Sequence, residues 1–141
     1  MNLNDVSPYE LEGGRKSIRT LSVNDLKSLY EALGVGYSTA PSSSVEIMVV
    51  YAYATWCGYC QRGMPIFNDQ VLRSNTKFAF FFNASTPDRR AAFKTITGQD
   101  INKFPTIFVF YGTSKGRKAS QMVADGNYTT KFHKLKALMG F

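Results

Sequence analysis

The chain has 141 residues, the size of one ordinary domain, and its 44% hydrophobic and 14% aromatic content can bury a core without disulfides. A net charge of +7 gives it a basic surface, but the basic residues are scattered through GGRKSIR, PDRRAAFK, SKGRK and KFHKLK with no nucleic-acid motif beside them. Two cysteines are too few for a disulfide scaffold, there is no apolar run of about 18 residues to span a membrane, and MNLNDVSPYELEGGRK lacks the apolar stretch of a secretory signal, so the expected setting is cytoplasmic.

Residues 1–15, with Pro8 and Gly13-Gly14 and no periodicity, read as a flexible N-terminal tail ahead of a single domain over 16–141. KSIRTL (16–21) is a short strand. SVNDLKSLYEALG (22–34) is a helix: Ser22 can cap it with Asp25 in the place of a capping-box Glu, and Leu26, Leu29, Tyr30 and Leu33 form one stripe before a Gly34 stop. A loop over 35–44 leads into VEIMVVYAYA (45–54), apolar except for Glu46, which suits a strand covered on both faces of a parallel sheet. A helical stretch then shares a face through Met64, Phe67 and Val71, and KFAFFFNA (77–84) is a second buried strand. STPDRRAAFKTITG (85–98) is a helix with Thr86 as cap, Pro87 at its first position and Gly98 past its end. FPTIFVFYG (104–112) is a strand, TSKGRK a turn, ASQMVADG (119–126) a further strand, and YTTKFHKLKALMGF (128–141) a final helix with Phe132, Leu135 and Met139 inward. The order β-α-β-α-β-α-β-β-α is an α/β fold with a parallel core, crossover helices and a terminal hairpin.

Both cysteines fall in YATWCGYCQRGMP (53–65), just after the buried strand and at the start of a helix. A structural zinc site needs about four ligands, and the chain offers Cys57, Cys60 and His133, distant in sequence and expected as an ordinary surface residue; no metal is expected. A redox pair accounts for more. The helix start carries unpaired N–H groups and a dipole that favour a negative sulfur at Cys57, and it is the thiolate that attacks a disulfide. Cys60, one turn further in, is within reach to attack the resulting mixed disulfide and release the product.

The WCGYC motif after an apolar strand resembles the thioredoxin superfamily, over roughly residues 16–141. Three features carry the likeness: Trp56 before the pair, Pro65 five residues after Cys60, and Phe104-Pro105-Thr106 opening a strand at close to the family's spacing. The resemblance implies a central mixed sheet of four to five strands flanked by helices on both faces. It also implies a helix bent at Pro65, which cannot donate to the Gln61 carbonyl. Pro105 is implied to be cis, presenting backbone beside the cysteines for an extended substrate segment, with Trp56 covering one side.

Two departures stand out. The family usually buries a carboxylate six residues before the first cysteine; this chain has Tyr51, expected as a core aromatic with its hydroxyl satisfied. Between the cysteines stands Gly58-Tyr59 where thioredoxins usually have Gly-Pro, a pair that resembles periplasmic disulfide isomerases, with Tyr59 exposed as a flat contact for a partner. Gly126, with Ala124 ahead of it, is the candidate for a glycine loop completing the substrate groove. The function implied is thiol–disulfide oxidoreduction on protein disulfides. Cys57 is the nucleophile, Cys60 resolves, and Trp56, Gly58, Tyr59, Phe104, Pro105 and Gly126 bind substrate. The protein would act as a monomer, without bound cofactor, membrane or nucleic acid, drawing electrons from a reductase or small thiol. The competing reading is a binding module on the same fold, docking an acidic protein, a nucleic-acid enzyme or a virion component through its basic surface.

Overall fold

The computed structural model describes residues 9–12, 15–33, 46–73, 78–113 and 116–123. Their elements are β1 (Tyr9–Glu12), β2 (Arg15–Ile18), β3 (Thr20–Leu21), α1 (Val23–Ala32), β4 (Glu46–Tyr53), α2 (Gly58–Arg73), β5 (Ala79–Asn83), α3 (Pro87–Thr97), β6 (Thr106–Thr113) and β7 (Gly116–Val123). Five of the strands form one mixed sheet in the order β3-β5-β4-β6-β7. β3, β5 and β4 run parallel, with Val49 opposite Ala79 and Tyr53 opposite Asn83. β6 and β7 are added antiparallel, with Ala52 opposite Thr106 and Thr113 opposite Gly116.

The near-continuous apolar run of β4 divides by side-chain alternation. Met48, Val50 and Ala52 face α1 and α3, in a core with Leu26, Leu29, Leu33, Phe80, Phe82, Phe93, Phe108 and Phe110. Val49 and Tyr51 face α2, in a core with Phe67, Val71, Phe81, Ile107 and Val109. The sheet is thus covered on both sides, which is why β4 carries so little polarity.

The helix signals act as anticipated. The Ser22 hydroxyl accepts from the Asp25 N–H at 3.0 Å, and the Arg19–Asp25 ion pair at 3.3 Å lies beside that cap. Thr86 caps α3 by accepting from the Arg89 N–H at 3.3 Å, Pro87 opens the helix, and Gly98 ends it at φ 75°, a left-handed conformation suited to glycine.

Three expectations change. Within 1–15, expected as a loose tail, Tyr9–Glu12 is a strand paired antiparallel with Arg15–Ile18; residues 1–8 lie outside the described residues. The single strand foreseen over 16–21 divides between two sheets, β2 pairing with β1 and β3 pairing with β5. α1 ends at Ala32 with Leu33 as its cap; Gly34, expected as its stop, lies outside the described residues. TSKGRK is mostly strand, since β6 runs to Thr113 and β7 begins at Gly116; ladder pairing outweighs the turn composition there. The expected helix over 128–141, with His133, lies outside the described residues, as do Ala124 and Gly126.

Candidate active site

The carboxyl ends of the parallel strands β4 and β5 and the start of antiparallel β6 meet at one end of the sheet, where open α/β folds place their sites. From β4 the chain passes through buried Ala54 and exposed Thr55 and Trp56 to Cys57, whose N–H donates to the Ala54 carbonyl at 3.2 Å. The Cys57 carbonyl accepts from the Gln61 N–H at 3.2 Å, which makes Cys57 the residue that caps α2. Its sulfur accepts from the Cys60 N–H at 3.1 Å. This is the same residue-to-third-residue bond that Ser22 and Thr86 make at the other helices, with sulfur in place of a hydroxyl oxygen. A cap needs an acceptor, and here the sulfur supplies it.

Both cysteines are free thiols. Their exposure is unequal: Cys57 keeps 8% of its surface in solvent and Cys60 none, so the first sulfur alone can meet a macromolecular substrate. Burial, helped by a hydrogen bond to Cys57, pushes the Cys60 thiol up to about 12. Ala54, Cys57 and Cys60 form a small buried cluster against which Tyr53 and Phe104 pack. Burial likewise raises the Tyr53 phenol, opposed by a Thr20 hydrogen bond and the charge of Arg89.

Tyr51 is the core aromatic anticipated. It is fully buried, 5.0 Å from the Phe67 ring and 5.5 Å from the Phe81 ring, and its hydroxyl donates to the Cys60 carbonyl at 3.2 Å. Where the resemblance implies a carboxylate, β4 thus supplies a tether for the first turn of α2. Pro65 lies inside α2, as expected, where it removes the N–H that the Gln61 carbonyl would take.

The Phe104–Pro105 peptide bond is cis, and Pro105 is buried at the start of β6. The Thr106 hydroxyl donates to the Lys103 carbonyl at 2.6 Å and closes this turn. Phe104 meets Trp56 edge to face at 5.0 Å, and the Trp56 indole N–H donates to the Ser85 carbonyl at 3.2 Å. Trp56 nevertheless stays 64% exposed and Tyr59 55% exposed. The geometry therefore brings Cys57, Cys60, Trp56 and Phe104 together, with Gly58 and Tyr59 on the first turn of α2; Gly126 falls outside the described residues.

The loop after β5 was not foreseen as part of the site. The Ser85 hydroxyl accepts from the Thr55 N–H at 2.8 Å and donates to the Asn83 side-chain oxygen, and the Ala84 N–H donates to the Tyr53 carbonyl at 2.7 Å. Arg90 donates to the Ala84 carbonyl at 2.9 Å, with its guanidinium 5.8 Å from the Phe104 ring centre. The sequence carries no local signal for this brace, whose partners Thr55 and Phe104 are distant in the chain. Among the described residues no group of three or more His, Cys, Asp or Glu side chains could hold a metal ion, and no helix is long and apolar enough to cross a membrane.

Residues 36–135 match the Thioredoxin family model. The chain belongs to the thioredoxin family. A mitochondrial thioredoxin domain-containing protein of Schizosaccharomyces pombe is 31% identical over 83 residues, covering 59% of this chain and 22% of the fission-yeast protein. The chain thus spans about a fifth of the length of the curated relative it matches. Among solved thioredoxin structures, a chain from the complex of ferredoxin:thioredoxin reductase with thioredoxin f2 superposes at a TM-score of 0.62, with 14% identity and coverage of 87% of this chain and 96% of that one. Thioredoxin O1 of Arabidopsis thaliana superposes at 0.59, with 16% identity over 86% and 96% of the two chains. Mitochondrial thioredoxin 3 of Saccharomyces cerevisiae superposes at 0.55, with 16% identity over 85% and 94%. These likenesses carry the fold, and thioredoxin membership sets the broad chemistry, that of thiol–disulfide oxidoreductases.

Proposed function

We propose that this protein reduces protein disulfides by dithiol–disulfide exchange through Cys57 and Cys60, in the reducing setting of the cytoplasm. The reading rests on one observation: the Cys57 sulfur caps α2 through the Cys60 N–H while retaining the pair's solvent exposure. In the first step the Cys57 thiolate attacks one sulfur of the substrate disulfide. A Cys57–substrate S–S bond forms, the substrate S–S bond breaks, and the other substrate sulfur leaves as thiolate. In the second step Cys60, on losing its proton, attacks the Cys57 sulfur. The Cys57–Cys60 disulfide forms and the second substrate thiolate leaves. Two electrons pass to the substrate, two protons end on its thiols, and a reductase or small thiol restores the dithiol.

Trp56, Tyr59 and Phe104 supply apolar contact, and the backbone at Pro105 borders the groove in which the substrate segment lies. Insulin reduction driven by dithiothreitol tests the proposal. The parent protein should accelerate precipitation of the insulin chains. Cys57→Ser should abolish the acceleration, and Cys60→Ser should accumulate a mixed disulfide visible by non-reducing electrophoresis. A Cys57→Ser variant as active as the parent refutes the assignment.

A further inference from the structure

The exposed part of the site is aromatic, and its fixed charges among the described residues are mostly positive. Arg62, one turn after Tyr59 on α2, holds its guanidinium 4.8 Å from the Tyr59 ring centre. One of its terminal nitrogens lies 3.4 Å from where a Cβ on Gly58 would stand, so this charge sits against the dipeptide between the two cysteines. On the β6 side Arg90 lies over Phe104, the ring that Trp56 meets, and Lys103 is exposed beside it. Among the described residues the ion pairs are Arg19–Asp25, Arg73–Asp69 and Lys94–Asp100; none of them engages Arg62, Arg90 or Lys103. Asp88, exposed in the first turn of α3, is the acidic side chain of that helix start.

We propose that Arg62 and Arg90 select substrates whose reducible disulfide is flanked by acidic side chains, a selectivity that rests on the disulfide-reductase reading above. A guanidinium over an aromatic ring is held in orientation; Arg90 gives one N–H to the Ala84 carbonyl and keeps others for a carboxylate, as Arg62 does. The ring beside it covers the apolar part of the same substrate segment. Arg62 acts next to the attacking sulfur, where a substrate residue adjacent to its own cysteine must pass. Arg90 acts along the Phe104 ledge, where the segment continues. The overall charge of +7 adds attraction over longer range, and that part is screened by salt.

The test uses two synthetic peptides with the same internal disulfide loop, one flanked by glutamates and one by lysines, and reads kcat/KM for their reduction with glutathione as electron source. The acidic peptide should be preferred by about fivefold or more at low salt, the effect of one exposed charge pair per arginine. The preference should shrink toward unity at about 1 M salt. Arg62→Glu should reverse the preference, chiefly through KM, and Arg90→Gln should lower it. Equal reduction of both peptides at low salt, or an unchanged preference in Arg62→Glu, overturns the selectivity and leaves the reductase reading intact. Reduction of neither peptide by the parent overturns both.

Discussion

The buried thiol of Cys60 sets a sharp expectation for how the protein responds to pH. With no surface in solvent and Cys57 as hydrogen-bond partner, this thiol is pushed up from 9.0 to about 12. At neutral pH the thiolate fraction of the reduced protein is then about one in 10⁵. In the mixed disulfide the Cys57 sulfur is neutral and its charge no longer opposes ionisation, but burial, the largest cause, persists. Release of substrate should therefore quicken with pH, by up to about tenfold per unit between about pH 7 and 9 and without a plateau in that range. The state of the thiol can be read directly: with carbon-13 at the cysteine Cβ, the reduced protein gives two resonances, and that of Cys60 should hold still through 9.0. Stability follows with a definite sign. The folded value lies above the unfolded one, so the contribution of the neutral thiol is complete below 9.0 and is lost as pH climbs toward 12. The oxidised protein has no thiol there and should not share that part of the loss, which urea denaturation of the two forms in parallel would reveal. A Cys60 resonance that titrates with a midpoint at or below 9.0 would refute the argument.

Tyr51→Phe keeps the ring against Phe67 and Phe81 but removes the donor to the Cys60 carbonyl, and should cost about 1–2 kcal/mol, or about 3–6 °C in thermal midpoint; an unchanged midpoint would mean the tether carries no energy. Phe93→Ala empties a position 4.8 Å from the Phe108 ring and 5.2 Å from that of Phe82, and should cost about 3–5 kcal/mol in urea denaturation. Gly98→Ala meets nothing within 4 Å, so its cost is that of the backbone at φ 75° alone, about 1 kcal/mol, with Gly98→Asn expected to lose less.

Much of this arrangement was legible from residue order because the deciding signals are local. Ser22, Thr86, Pro87 and Gly98 mark helix ends by chemistry that acts within one turn, and the apolar run of β4 reports its double covering. The cysteine pair, Trp56 and Phe104-Pro105 could be placed because each sits beside such an element. The β1–β2 hairpin was missed even though Gly13-Gly14 separates two short runs in which Tyr9 and Leu11 alternate with acidic residues, a pattern that favours a two-residue turn. The brace of Asn83, Ser85 and Arg90 was not legible, since its partners Thr55 and Phe104 come from distant parts of the chain and meet only when β4, β5 and β6 align. Likewise nothing in the sequence around Tyr51 says that its hydroxyl reaches the carbonyl of Cys60.

One bond reaches well beyond the redox centre. The Asn68 side-chain oxygen, on α2 three residues past Pro65, accepts from the Ile18 N–H at 2.6 Å, and Ile18 shares a core with Phe67 and Val71. The family match opens at residue 36, yet the helix that carries the cysteines leans on a residue well upstream of it. A fragment cut to the matched span would strip the back of that helix and leave an amide acceptor facing a gap. A shorter version that keeps this helix backed should therefore retain Ile18.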